Sequence, residues 1–168
     1  MTFDLHRRVI CSAFVAPDTG GVPTGEIVMA TWQEVRTWVA SKGTIGKEGP
    51  GWLILEIGTS EVRSQLIEVQ YQDATDIAPA MIAFFSSIGR LDAMDDHTLR
   101  KAVITSAGGP VTLKAILEGP EGDRHFNLVV AHYTPADTLD ELELAWPIQF
   151  VSGIADMMEE FLVGGDEH

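Results

Sequence analysis

The sequence predicts an α+β domain: an antiparallel sheet of about five strands flanked by helices, in the order α-β-β-β-α-β-β-α. Three observations predict it. Apolar, β-branched runs of strand length fall into a group of three and a group of two, with a helical stretch between them. Most of the connections within each group are short enough for hairpins. The segments that open and close this array carry capping residues followed by apolar positions at helical spacing.

At 168 residues the chain fits one domain with a core that needs no staples. Residues 1–28 stand apart as an N-terminal extension, with 29–168 as the single folded domain. VAPDTGGVPTGE is turn-rich and only RRVICSAFV has the composition of a strand. Three readings stay open for it: an extra strand, a floppy arm, or translated leader upstream of a start at Met29.

The first helix begins at Thr31-Trp32-Gln33-Glu34, a capping box, and places Trp32, Val35, Trp38 and Val39 on one face before Gly43 ends it. GTIGKEGPG follows. As a phosphate loop it fails, because Glu48 stands after Lys47 where Ser or Thr would bind magnesium, and the loop leads into a strand instead of a helix. It reads as a flexible connection. WLILEIG and VRSQLIEVQY then form a hairpin, with Arg63, Gln65, Ile67, Val69 and Tyr71 on one face. AMIAFFSSIG is a third strand that Gly89 ends, with Pro79 at its start, where a missing donor matters least.

Asp95 or Asp96 caps a middle helix with Leu99, Ala102 and Val103 on one side, stopped by Gly108, Gly109 and Pro110. VTLKAILEG and HFNLVVAHY form a second hairpin. The last helix starts at a capping box, Thr138-Leu139-Asp140-Glu141, and Pro147 should kink it or begin another. After Pro147, Ile148, Val151, Ala155, Met158 and Leu162 form one stripe, and Phe150, Ile154, Met157 and Phe161 the next. That apolar arc is wider than one side of a sheet requires.

Charge narrows the partners. Twenty-five acidic against 11 basic residues give −14, which repels nucleic-acid phosphates and anionic membranes, so neither is an expected partner. No Lys or Arg follows Arg124, while nine acidic residues do, from Asp137 to Glu167. A solvated face explains them; an acidic surface for a basic partner is the sharper alternative. Arg7 and Arg8 before an apolar run resemble a signal peptide, but the run is short and no clear small-x-small cleavage site follows. The lone Cys11 makes no internal disulfide, and a reduced, cytoplasmic protein is expected.

Catalytic signatures are missing. His125 and His132 are seven apart, so period two sets them on opposite faces of one strand, and no metal is expected. There is no Gly-x-Ser-x-Gly elbow, and Ser152-Gly153 sits in a helix whose polar face is acidic. Glu159-Glu160 and Asp95-Asp96 serve solubility and capping better than acid–base work. The four tryptophans, Trp32, Trp38, Trp52 and Trp146, are core fillers or contact anchors. The candidate protein-binding residues are Trp38, toward the edge of its stripe, and Phe150, Ile154, Met157 and Phe161.

In this order, TWQEVRTWVASKG, RSQLIEVQY, SSIGRLD with DDHTLRKAV, and TLDELELAWPIQFVSGIADMMEEFL resemble the type III secretion chaperone-like fold and, within it, the YbjN-like group. The resemblance covers roughly residues 30–163; the N-terminal extension and Pro147 depart from it. It implies an acidic α+β protein that binds other polypeptides, often as a homodimer, without catalytic residues or cofactor. The functional expectation is therefore a non-catalytic, chaperone-like or adaptor module that holds a polypeptide partner. The alternative is an acidic inhibitor of a basic or nucleic-acid-binding enzyme.

Overall fold

The computed structural model describes residues 30–61, 63–106, 112–121 and 123–163. Helix α1 (Trp32–Ala40) starts at the predicted capping box: Thr31 Oγ1 accepts from the Glu34 backbone N–H, and the Thr31 N–H donates to the Glu34 carboxylate at 2.8 Å. Val35 and Val39 are buried, and Trp32 and Trp38 pack beside them as partly buried residues.

The segment expected to be a flexible connection is a strand, β1 (Thr44–Gly49). It pairs with β2 (Trp52–Gly58) through the turn Pro50-Gly51, where proline presets its own φ and Gly51 takes φ +74°. The strand is short and polar and carries a bulge between Ile45 and Lys47, so its apolar alternation is too weak to read. Arg36 on α1 clasps Glu48 on β1 with two bonds of 2.7 and 3.0 Å.

The next strands are β3 (Ser64–Gln72) and β4 (Met81–Arg90). Gly89 does not end β4; it belongs to a bulge, and the strand continues to Arg90 before a short 3-10 turn, Leu91–Ala93. Helix α2 (Asp96–Ser106) follows, then β5 (Thr112–Glu118), β6 (His125–Pro135) and α3 (Glu141–Val163). The sheet therefore has six antiparallel strands, not five, in the order β1-β2-β3-β4-β6-β5.

All three helices contribute to one core. Val35 and Val39 of α1, Ala102 of α2, and Leu144, Ile148, Val151, Ala155 and Met158 of α3 meet alternate sheet residues such as Leu53, Ile67, Ile82, Phe84 and Val130. The other alternation of β4 and β6 carries a smaller cluster, Ala83, Phe85, Val129 and Ala131, with Tyr133 packed on it.

Three helix details differ from expectation. Val103, placed on the inner side of α2 by the sequence, is 64% exposed, while its neighbour Ala102 is buried in the core. Thr138 does not cap α3: its hydroxyl donates to the Pro135 carbonyl, and Asp140 accepts from the Glu143 N–H at 2.7 Å instead. Pro147 starts no second helix. It lies inside one continuous 23-residue helix, because Leu144 before it and Ile148 and Val151 after it are buried in the same core. The glycines and proline expected to stop α2, and all of residues 1–28, fall outside the described residues.

Asp95 caps α2 by accepting from the Thr98 N–H at 2.7 Å. That bond, above all, holds its carboxyl below the ordinary value of 3.8. A depressed folded value means stability that is present above the unfolded value and lost as pH falls through the folded one. Asp95→Ala should therefore lower the urea midpoint at pH 7, and the difference from the parent should shrink once the pH drops below 3.8. A difference constant with pH would overturn the capping role.

Candidate functional site

Helix α3 carries more apolar side chains than the sheet can take. At about 100° per residue, Leu144, Ile148, Val151, Ala155 and Met158 occupy its inward arc. Leu142, Trp146, Phe150, Met157 and Phe161 fall within another arc of about 100°, turned away from the sheet. Four of these five are exposed, and Phe150 is partly buried. The row runs the length of the helix at spacings of four and then, through Gly153, three, four and four residues.

Its aromatic end is held from behind. Phe84 in the core lies 6.4 Å from the His132 ring, which meets Trp146 edge-on at 5.4 Å. Trp146 stacks on Phe150 at 4.7 Å with the planes 12° apart. This ladder fixes a half-exposed indole in place, so less rotamer freedom remains to be lost on contact. At the far end the Lys101 ammonium of α2 sits 4.8 Å from the centre of the Phe161 ring.

Polar contacts set which face of α3 points outward. Gln65 of β3 donates to the carboxylate of the buried Glu159 at 2.6 Å, and the Ser86 hydroxyl lies 3.0 Å from Gln65 Oε1 and 2.9 Å from the Leu66 carbonyl. One turn away, Arg63 reaches Asp156 at 3.0 Å and Glu160 at 3.2 Å. Lys42, at the end of α1, approaches Glu141 at 3.9 Å. The acidic residues along this flank of α3 therefore meet cations of the same chain. Beside them Lys42, Thr59, Gln149, Ser152 and Asp156 line a groove of about 400 Å³ that is open to solvent.

Of the residues singled out by sequence, Phe150, Met157 and Phe161 stand together in the outward row, and Ile154 borders it, partly buried. Trp38 sits on a different helix, partly buried against the main core. Of the row's N-terminal half, Trp146 is singled out by sequence only as one of four tryptophans that read as core fillers or contact anchors, and Leu142 is absent from the sequence-derived set. Their signal was the four-residue spacing from Leu142 to Trp146 to Phe150, hidden by the expectation that Pro147 interrupts the helix. The histidines stay apart: His132 joins the ladder, while His125, at the other end of β6, contacts the Asp123 carbonyl at 3.2 Å. Among the described residues no group of three or more His, Cys, Asp or Glu is placed to hold a metal, and no helix is long and apolar enough to cross a membrane.

No protein-family model, curated protein or solved structure matches the chain.

The Glu159 carboxylate is buried and depends on its amide partner. Gln65→Leu should lower stability by about 1–3 kcal/mol, the usual cost of removing one partner from a buried hydrogen-bonded group. Adding Glu159→Leu should recover part of that loss, because both polar partners are then gone. Urea denaturation of the two singles and the double measures the coupling; strictly additive losses would show that the two side chains do not support each other.

Proposed function

We propose that the chain is a non-catalytic polypeptide-binding module, chaperone-like or adaptor in character, that acts as a homodimer and holds a polypeptide partner. One observation carries the reading: the row of exposed apolar side chains along α3. A contiguous apolar face rimmed by charged residues marks a contact surface, since water disfavours it and nothing about a solitary chain requires it. Large aromatics with little residual freedom are the side chains that dominate such contacts. The α+β architecture, with helices on one face of an antiparallel sheet, is compatible with the secretion-chaperone, YbjN-like resemblance, which remains part of this reading.

A second surface suits an extended client. Among the described residues β5 pairs only with β6, in unbroken register, so its outer backbone groups form a sheet edge. An added strand satisfies such an edge. The opposite edge, β1, carries a bulge, which discourages strand addition.

The alternative, an acidic inhibitor of a basic or nucleic-acid-binding enzyme, draws on the −14 net charge. It requires an acidic array turned to solvent. On α3, Asp156 and Glu160 meet Arg63 and Glu159 is buried, so the apolar row is the stronger feature of that helix.

Light scattering on the eluting protein should give about 37 kDa, twice the 18.3 kDa of one chain. Phe150→Asp with Met157→Asp should shift the mass to that of one chain while the far-ultraviolet circular dichroism stays the same. A parent protein of single-chain mass at high concentration would overturn the homodimer.

A further inference from the structure

We propose that the apolar row of α3 is covered by α3 of a second copy, running antiparallel, with the two-fold axis between Gly153 and Ile154. This rests on the homodimeric reading above and adds the surface, the direction and the register.

The first argument is the spacing of the row. A two-fold axis across antiparallel helices pairs residues equidistant from one point of the sequence. About the midpoint of Gly153 and Ile154, Trp146 of one copy falls opposite Phe161 of the other, Phe150 opposite Met157, and Gly153 opposite Ile154. The same pairs are also mirrored around the helix circumference. At about 100° per residue, counted from Leu142, they stand at roughly 40° and 100°, 80° and 60°, and 20° and 120°, all centred near 70°. Any two residues equidistant from that midpoint share this mean angle; what the row adds is that its paired residues all lie within about 50° of it, on the outward side of the helix.

Gly153 is the second argument. It is exposed, and a Cβ built on it meets nothing within 4 Å, so packing inside the chain does not require glycine. At the crossing point of two helices the missing side chain lets the backbones approach closely.

Charge is the third. A chain of −14 repels its copy, yet the acidic borders of the row are met internally, Asp156 and Glu160 by Arg63 and Glu141 by Lys42. In the proposed register Lys101, 4.8 Å from the centre of the Phe161 ring, brings a cation to the edge of the pairing with Trp146 of the other copy.

Area is the fourth. Leu142, Trp146, Met157 and Phe161 are 83%, 51%, 49% and 57% exposed, and Ile104, one turn along α2 from Lys101, is 74% exposed. At about 150–200 Å² for a whole large side chain, the four row residues and the partly buried Phe150 and Ile154 offer roughly 400–600 Å² of apolar surface per copy. An interface of standard size buries about 800 Å² per partner, somewhat more than half of it apolar. The row is large enough.

The test uses the full chain with Cys11, its only cysteine, replaced by Ser. In that background Gly153→Cys and Leu142→Cys are oxidised separately with copper phenanthroline, and the mass of each parent is read by light scattering. Antiparallel pairing brings the two copies of residue 153 together and sets the two copies of residue 142 roughly 34 Å apart, at about 1.5 Å per residue. The expected result is near-complete conversion of Gly153→Cys to a disulfide-linked band of about 37 kDa, twice 18.3 kDa, with Leu142→Cys remaining uncrosslinked. Crosslinking at both positions indicates parallel helices and overturns the proposal. Dimeric mass with no crosslink at residue 153 places the contact elsewhere, overturning the proposal while the homodimer stands. Single-chain mass of the Cys11→Ser protein, which keeps Gly153, at every concentration overturns both and leaves the row to a different polypeptide.

Discussion

A sheet covered on one side by helices can bury only one face of each of them, and the longest helix here is apolar on more than one. That constraint shapes the molecule. Leu144, Ile148, Val151, Ala155 and Met158 fill the space over β3, β4 and β6, and each of these except Ala155 contributes on the order of 1.5–3 kcal/mol. Once that face is used, Leu142, Trp146, Met157 and Phe161 have no place inside the chain. They stay outward because the alternative rotation would expose the inner stripe.

Apolar packing alone would be poorly selective between those two rotations, since both faces are greasy. The polar contacts supply the selection. A Glu159 turned toward water would leave the Gln65 amide without it, and the same rotation would carry Asp156 and Glu160 away from Arg63. Burying a carboxylate costs more than burying a leucine of similar size, yet a leucine would be indifferent to which way the helix faces. The network therefore acts on orientation as much as on stability, and it presents the aromatic end of the row in a fixed geometry.

How much of this the sequence discloses depends on how each element is stabilised. Helix α1, the β2–β3 hairpin, β4 and the β5–β6 hairpin are readable because capping residues and apolar alternation coincide with tertiary burial. Strand β1 is not, because backbone pairing and the Pro50-Gly51 turn make it, with Ile45 its one side chain packed against the core. Asp140 displaces Thr138 as a cap for a similar reason: both spellings fit the motif, and only the path of the chain after Pro135 decides which side chain reaches the free N–H groups. For the candidate surface, half of the row was legible as an apolar arc too wide for one interface. The other half was not, because proline is a local rule and helix continuity across Pro147 is a tertiary outcome.

Gly153 has the least local justification of any residue in α3. An exposed glycine in mid-helix is less favourable than alanine by about 1 kcal/mol, and here a methyl group would touch nothing in the chain. The loss is explained if the missing side chain matters to something outside the chain. Two helices that cross at a glycine approach more closely, and the large side chains on either side then interdigitate over a longer stretch. Burying even one further half-exposed aromatic side chain would offset the glycine penalty. The residue that weakens the isolated helix is, on this view, the one that lets Phe150 and Met157 reach across to their counterparts.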